Sequence, residues 1–202
     1  MEKPRHRYHH GHLAESLLDA VDAIATQFGI EAVTLRACAK RVGVSPASAF
    51  RHYDDKRALL TAFAARAINQ LADAMETART QAQERGGDTL HAVGMAYVTF
   101  AIDKPAFFRA MWREETIYAG DPDYLAAAER LAGYLKEGFV NTLDDEDPRA
   151  FSPQELLAWS SVHGLAALFV DGPVAKERDR AQKLRLADAV LMQLGPAFSR
   201  RA

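Results

Sequence analysis

The chain has 202 residues, 49% of them apolar, and a formal net charge of -2, enough to bury one large core or a small core beside a medium one. Its single cysteine, Cys38, excludes an internal disulfide and a cysteine-based zinc cluster and suits a reducing compartment. No apolar run has the length of a bilayer span, and the basic N-terminal stretch has no apolar signal segment, so the expected location is the cytoplasm, with no membrane partner.

The charge is unevenly spread. Residues 1–60 carry nine Lys+Arg against seven Asp+Glu and hold five of the seven histidines (His6, His9, His10, His12 and His52), while the rest is acidic. That asymmetry suits a basic N-terminal module, although scattered surface charge gives the same count.

Strand signals are nearly absent and apolar residues recur three and four apart, so the chain reads as all-α. A first helix spans His12 to Phe28, with Leu13, Leu17, Ala20, Ile24 and Phe28 on one stripe and Gly29 closing it. Thr34 caps a short helix through Val42, ended by Gly43; Ser45-Pro46 caps a second short helix through Tyr53. A long helix follows from Lys56 to Arg85, then Gly86-Gly87-Asp88, a helix from Thr89 to Asp103 stopped by Pro105, and a shorter one from Ala106 to Glu115. Gly120-Asp121-Pro122 opens a helix to Leu143. The acidic run Asp144 to Asp147 with Pro148 is a loop, Ser152-Pro153 caps a helix ending near Asp171, and the last helix spans Arg178 to Phe198.

Thr34 to Tyr53 has the anatomy of a helix-turn-helix. Leu35, Ala39 and Val42 form one apolar face, small Ala39 permits close helix approach, Gly43 can take the positive φ of a tight turn, and Val44 fills the space between the helices. Such a unit offers the start of its second helix to the major groove, here Ala47, Ser48, Arg51 and His52. A plain helical hairpin inside a bundle shares the spacing.

The stretch GIEAVTLRACAKRVGVSPASAFRHYDDKRALL, Gly29 to Leu60, resembles the DNA-binding domain of the TetR/AcrR family of regulators. Further on, Trp159, His163 and Gly164 in AWSSVHGLAAL are similar to the Trp-His-Gly signature of one branch of that family, as is Tyr8-His-His-Gly11. The resemblance implies a three-helix DNA-binding head at residues 8–55 on a helical-bundle body at 56–202 that binds a small-molecule effector and forms a homodimer. It implies a repressor that releases a palindromic double-stranded operator when an apolar or amphipathic effector binds. By the same resemblance, Thr34 and Arg36 face phosphates and the groove edge; Ser48, Arg51 and His52 read bases; Lys56 clamps a phosphate. Phe50 stands where relatives often have Tyr, so a hydroxyl-to-phosphate bond is lost there. Arg7 and the histidines before the first helix either contact the DNA backbone or form a disordered tail.

His9, His10 and His12 lack carboxylate or thiolate partners, so no metal is expected, and Cys38 reads as a small buried residue. The body is rich in bulky side chains, and the pocket that the family implies is expected among Tyr97, Phe100, Phe107, Met111, Trp112, Trp159 and Phe169, although for any one of them a plain helical core is the default reading. Ser160, His163, Gly164 and Ala167, with Leu184 and Leu191 on the last helix, are the expected dimer seam; His163 also suits a packed core position. There is no phosphate loop, nucleophile elbow or paired carboxylate-histidine motif, and Glu114-Glu115 point to different faces, so neither catalysis nor a cofactor is expected. The competing readings are an interaction module that never meets DNA and an all-helical enzyme.

Overall fold

The computed structural model describes residues 10–138, 151–175 and 178–199 and is helical with no strand among them. α1 (His10–Phe28) turns Leu13, Leu17, Ala20 and Ile24 inward. Phe28, expected on the same stripe, is 64% exposed: the chain turns at Gly29 and Ile30 enters the core in its place. α2 (Leu35–Val42) starts where the Thr34 hydroxyl oxygen accepts from the Ala37 N–H at 3.0 Å and stops at Gly43, whose φ of 81° a side chain would disfavour. α3 (Pro46–Phe50) begins with Ser45 accepting from the Ser48 N–H. It is shorter than its pattern suggests, because Arg51 and His52 form a turn that leads into the Asp55 cap of the next helix.

α4 (Lys56–Glu84) is the spine, 29 residues or about 43 Å at 1.5 Å per residue. On it pack α5 (Thr89–Asp103), α6 (Pro105–Met111) and α7 (Pro122–Gly138). Phe63 of α4 stacks on Phe107 of α6 at 4.6 Å between ring centroids. The expected helix from Ala106 to Glu115 instead ends at Met111, because Trp112 leaves helical geometry and a separate 3-10 turn covers Glu114–Thr116. The end of the following helix expected to reach Leu143, the acidic loop Asp144 to Pro148, and Arg7, Tyr8 and His9 lie outside the described residues.

α8 (Pro153–Val170) and α9 (Arg180–Ser199) close the body against α5. A reciprocal cap opens α8: the Ser152 N–H donates to Glu155 Oε2 at 2.6 Å and the Glu155 N–H to Ser152 Oγ, both residues being buried. Gly94 lets α5 meet both helices, since a Cβ there would lie 3.2 Å from Leu191 Cδ1 and 3.4 Å from Val162 Cγ1. Buried side chains run without a break from α1 through α4 to α7, so head and body share one core, with a smaller cluster of Val98, Phe169 and Ala187 joining α5, α8 and α9.

Cys38 lies fully inside that shared core, and burial pushes its thiol up to about 11. The native protein is expected to leave this one thiol unmodified by Ellman's reagent at neutral pH, with stoichiometric reaction only after unfolding. Complete reaction of the folded protein within the mixing time would contradict this packing.

Candidate nucleic-acid interface and ligand cavity

The expected DNA-facing residues of the head lie on α2, α3 and the residues up to the start of α4. Ala39 of α2 and Ala49 of α3 are both fully buried where the two helices meet, and Val44 packs against the same core. This fixes α3 with Ala47, Phe50 and Arg51 exposed and Ser48 and His52 half-buried. Thr34 and Arg36 are exposed at the start of α2, so five of the eight expected DNA-facing residues are exposed and three, Ser48, His52 and Lys56, are half-buried. The Lys56 ammonium donates to the Glu31 carbonyl at 3.0 Å, which leaves other N–H donors for a phosphate.

The body holds a partly open cavity of about 1240 Å³ bordered by α4, α5, α7, α8 and α9. Its wall is mostly apolar, with Leu131, Leu135 and Val162 among the aliphatic residues and Tyr97, Trp112, Tyr124, Phe151 and Trp159 supplying aromatic faces. Of the expected lining, Tyr97, Trp112 and Trp159 are there. Phe100, Phe107, Met111 and Phe169 are not: Phe107 stacks on Phe63, Phe100 leans on Phe107, Met111 is fully buried in the main core, and Phe169 fills the smaller cluster. Leu191, expected at a dimer seam, lies in the cavity wall instead.

A small polar pair adjoins that wall, with Tyr97 in the lining and His163 outside it. The Tyr97 hydroxyl is 3.0 Å from His163 Nδ1, and His163 packs against Phe108 and Trp112 rather than facing outward with Ser160 and Gly164. Burial lowers the His163 pKa and raises that of Tyr97, so a neutral imidazole faces a protonated phenol. The outward face of α8 is set one position away from the expected stripe, with Leu157 and Leu168 exposed beside Ser160, and Gly164 has open space where a side chain would stand. Ala167 packs on the core and Leu184 is half-buried.

Head and cavity are joined by a strap that sequence periodicity could not reveal, because its contacts bridge residues far apart in the chain. It starts at Trp112 and ends at Ala119, both in the cavity wall. Between them Arg113 Nη1 donates to Glu31 Oε1 at 2.7 Å, and Glu31 is the residue whose carbonyl holds Lys56. The Ile117 carbonyl accepts from Arg57 Nε at 2.6 Å, the Tyr118 N–H donates to Thr61 Oγ1, and the Tyr118 hydroxyl donates to Asp55 Oδ2 at 2.6 Å. The Arg57 guanidinium lies over the Tyr118 ring, 4.7 Å from its centroid.

The Tyr118 hydroxyl, followed by the Ala58 N–H, holds the Asp55 carboxyl below the usual carboxylate range. A depressed folded-state pKa adds stability above the unfolded value, and that stability is lost as pH falls through the folded one. Tyr118→Phe should therefore raise the Asp55 pKa, measured from its carboxyl carbon-13 shift, and shrink the acid-dependent part of stability. An unmoved Asp55 titration would show that the phenol does not bond this carboxylate in solution.

Residues 17–63 match the family model described as bacterial regulatory proteins, tetR family, and residues 90–191 match that of the tetracyclin repressor-like C-terminal domain. A curated relative, the uncharacterized HTH-type transcriptional regulator YobS of Bacillus subtilis (strain 168), is 32% identical over 94 residues, covering 46% of this chain and 48% of that protein; the chain thus aligns with about half the relative's length. Solved structures share the fold. A Rhodococcus sp. RHA1 protein of unknown function gives a TM-score of 0.70 at 23% identity over 96% of this chain and 97% of that one. A TetR family transcription regulator from Marinobacter aquaeolei VT8 gives 0.61 at 21% identity, covering 90% and 94%. With the head, the strap and the helical body in place, and both halves matched, the chain belongs to the TetR family of bacterial regulatory proteins.

Proposed function

We propose that this protein is a cytoplasmic, homodimeric repressor whose residues 8–55 bind a palindromic operator and whose residues 56–202 take up a small apolar or amphipathic effector. The observation that carries this reading is the strap from Trp112 to Ala119, which begins and ends in the cavity wall and is bonded in between to Glu31 of the head and Asp55 at the start of α4. An occupant that displaces Trp112 also displaces Arg113, its neighbour, and so disturbs the Glu31 carbonyl that positions Lys56. Coupling of this kind needs an effector that binds the two shapes with different affinity. Membership of a regulator family supports DNA as the partner, and no helix among the described residues is long and apolar enough to cross a membrane. The exposed Leu157 and Leu168 beside Gly164 support a second copy packing on α8, the helix where a four-helix seam would form.

In this reading α3 enters the major groove, Thr34 and Arg36 meet phosphates at the groove edge, and Arg51 reads bases beside Ser48 and His52. The test is a shift assay with duplex from upstream of the chain's own coding region, repeated over a range of salt. Affinity should fall steeply as salt rises, because phosphate neutralisation releases counterions. Arg51→Ala or His52→Ala should relax sequence preference at a cost of about 1 to 3 kcal/mol each, and Lys56→Ala should weaken all sequences alike. Operator affinity unchanged in all three variants would place the reading surface elsewhere.

A further inference from the structure

Resting on the reading that α3 is the groove-entering helix, the chemistry of its outer face identifies what part of its operator it senses without hydrogen bonds. The hydroxyls of α3 and its cap are already engaged with one another. Ser45 Oγ accepts from the Ser48 N–H at 3.2 Å and lies 2.9 Å from Ser48 Oγ, which also accepts from Arg51 Nη2 at 3.2 Å. Ala49 points into the core. What remains outward is Pro46, Ala47, Phe50 and Arg51, a surface of hydrocarbon with a single charge. The Phe50 ring is 43% exposed, although the same helix has the buried position at Ala49 to occupy the core. Ala47 and Phe50 are three apart and share a face.

In the major groove, the donor and acceptor edges of the bases are polar, and the hydrocarbon presented there is the 5-methyl group of thymine. Phosphates and sugars offer an exposed phenyl ring no comparable match. We propose that Phe50 is a specificity-determining residue that packs on the methyl group of one thymine in each operator half-site, with Ala47 leaving room for that approach. The readout is by shape and burial, so it sets sequence preference where Ser48 is occupied within its own helix.

The experiment uses the full-length protein and an operator selected by it from random duplexes. Each half-site thymine is replaced in turn by deoxyuridine, which deletes the methyl group and keeps the same groove hydrogen-bonding atoms. At one position per half-site the wild-type protein should lose about fourfold in affinity, the worth of one methyl group withdrawn from water. Phe50→Ala should bind the thymine operator more weakly and no longer distinguish deoxyuridine at that position. Phe50→Leu, which keeps hydrocarbon at the site, should still distinguish the two, and matched thermal unfolding midpoints check that the variants fold. Tolerance of deoxyuridine at every thymine by the wild-type protein overturns the proposal, as does a penalty that survives undiminished in Phe50→Ala. A wild-type protein that selects no duplex at all overturns the α3 reading itself, and this inference with it, so the two failures are told apart.

Discussion

In the proposed function the ion pair between Arg113 and Glu31 is the constraint on which communication between body and head depends. It is exposed, and by itself an exposed pair of this kind contributes little to stability. Its position gives it weight. Arg113 follows Trp112, a side chain in the cavity wall, and Glu31 holds Lys56 through its backbone carbonyl, so one guanidinium stands between the interior of the body and the surface of the head. Asp55 reinforces the joint: it caps α4 through the Ala58 N–H and accepts from the Tyr118 hydroxyl, which ties the other end of the strap to the same helix start. A shared hydrophobic core continues beneath both, so the head cannot tilt freely on a flexible linker. Movement has to pass through packed and bonded groups that favour discrete arrangements.

The size and lining of the cavity set what that joint can respond to. A space of about 1240 Å³ walled largely by aliphatic and aromatic groups favours a guest with a substantial apolar body. The Tyr97 hydroxyl, bonded to His163, is one polar group at that wall, which also includes the side chains of Asp88, His91, Glu129 and Lys136. Beside it the Trp112 indole N–H is buried near the Tyr97 hydroxyl without a well-formed bond to it, a local compromise that a shift of Trp112 would relieve or worsen. In the proposed function the same residue meets the guest and begins the strap.

Short-range signals made the head readable from the sequence. Thr34, Gly43 and the Ser45-Pro46 pair each act within three or four residues, and the structure puts α2 and the start of α3 where those residues imply. Thr89 to Asp103 was likewise legible from Asp88 at one end and Pro105 at the other. The cavity was only partly legible because α5 and α8 carry apolar residues around much of their circumference, so periodicity does not choose an inward direction. Trp159 and Phe169 lie on the same helix and look alike in sequence, yet one lines the cavity and the other plugs the contact with α5 and α9. His163 follows the same lesson: it sits next to Gly164 in the chain, yet it packs on Tyr97 while Gly164 has open space beside it. The strap had no sequence signature at all, because Arg113 and Glu31 are brought together only by the packing of α6 against α1.

Coupling between two sites is reciprocal in free energy, so under the proposed function an operator changes the affinity for a guest by the same factor as the guest changes the affinity for operator. The chain has two tryptophans, Trp112 and Trp159, both in the cavity wall, their rings 5.5 Å apart, and none in the head. Their emission during titration with operator duplex, with no effector present, is the most direct measurement of the account. The wild-type protein should show a change in emission that saturates with DNA binding, and Arg113→Ala should bind the same duplex with that change largely lost. DNA binding that leaves the wild-type emission unmoved, or an equal change in Arg113→Ala, would contradict the strap as the link between the two sites.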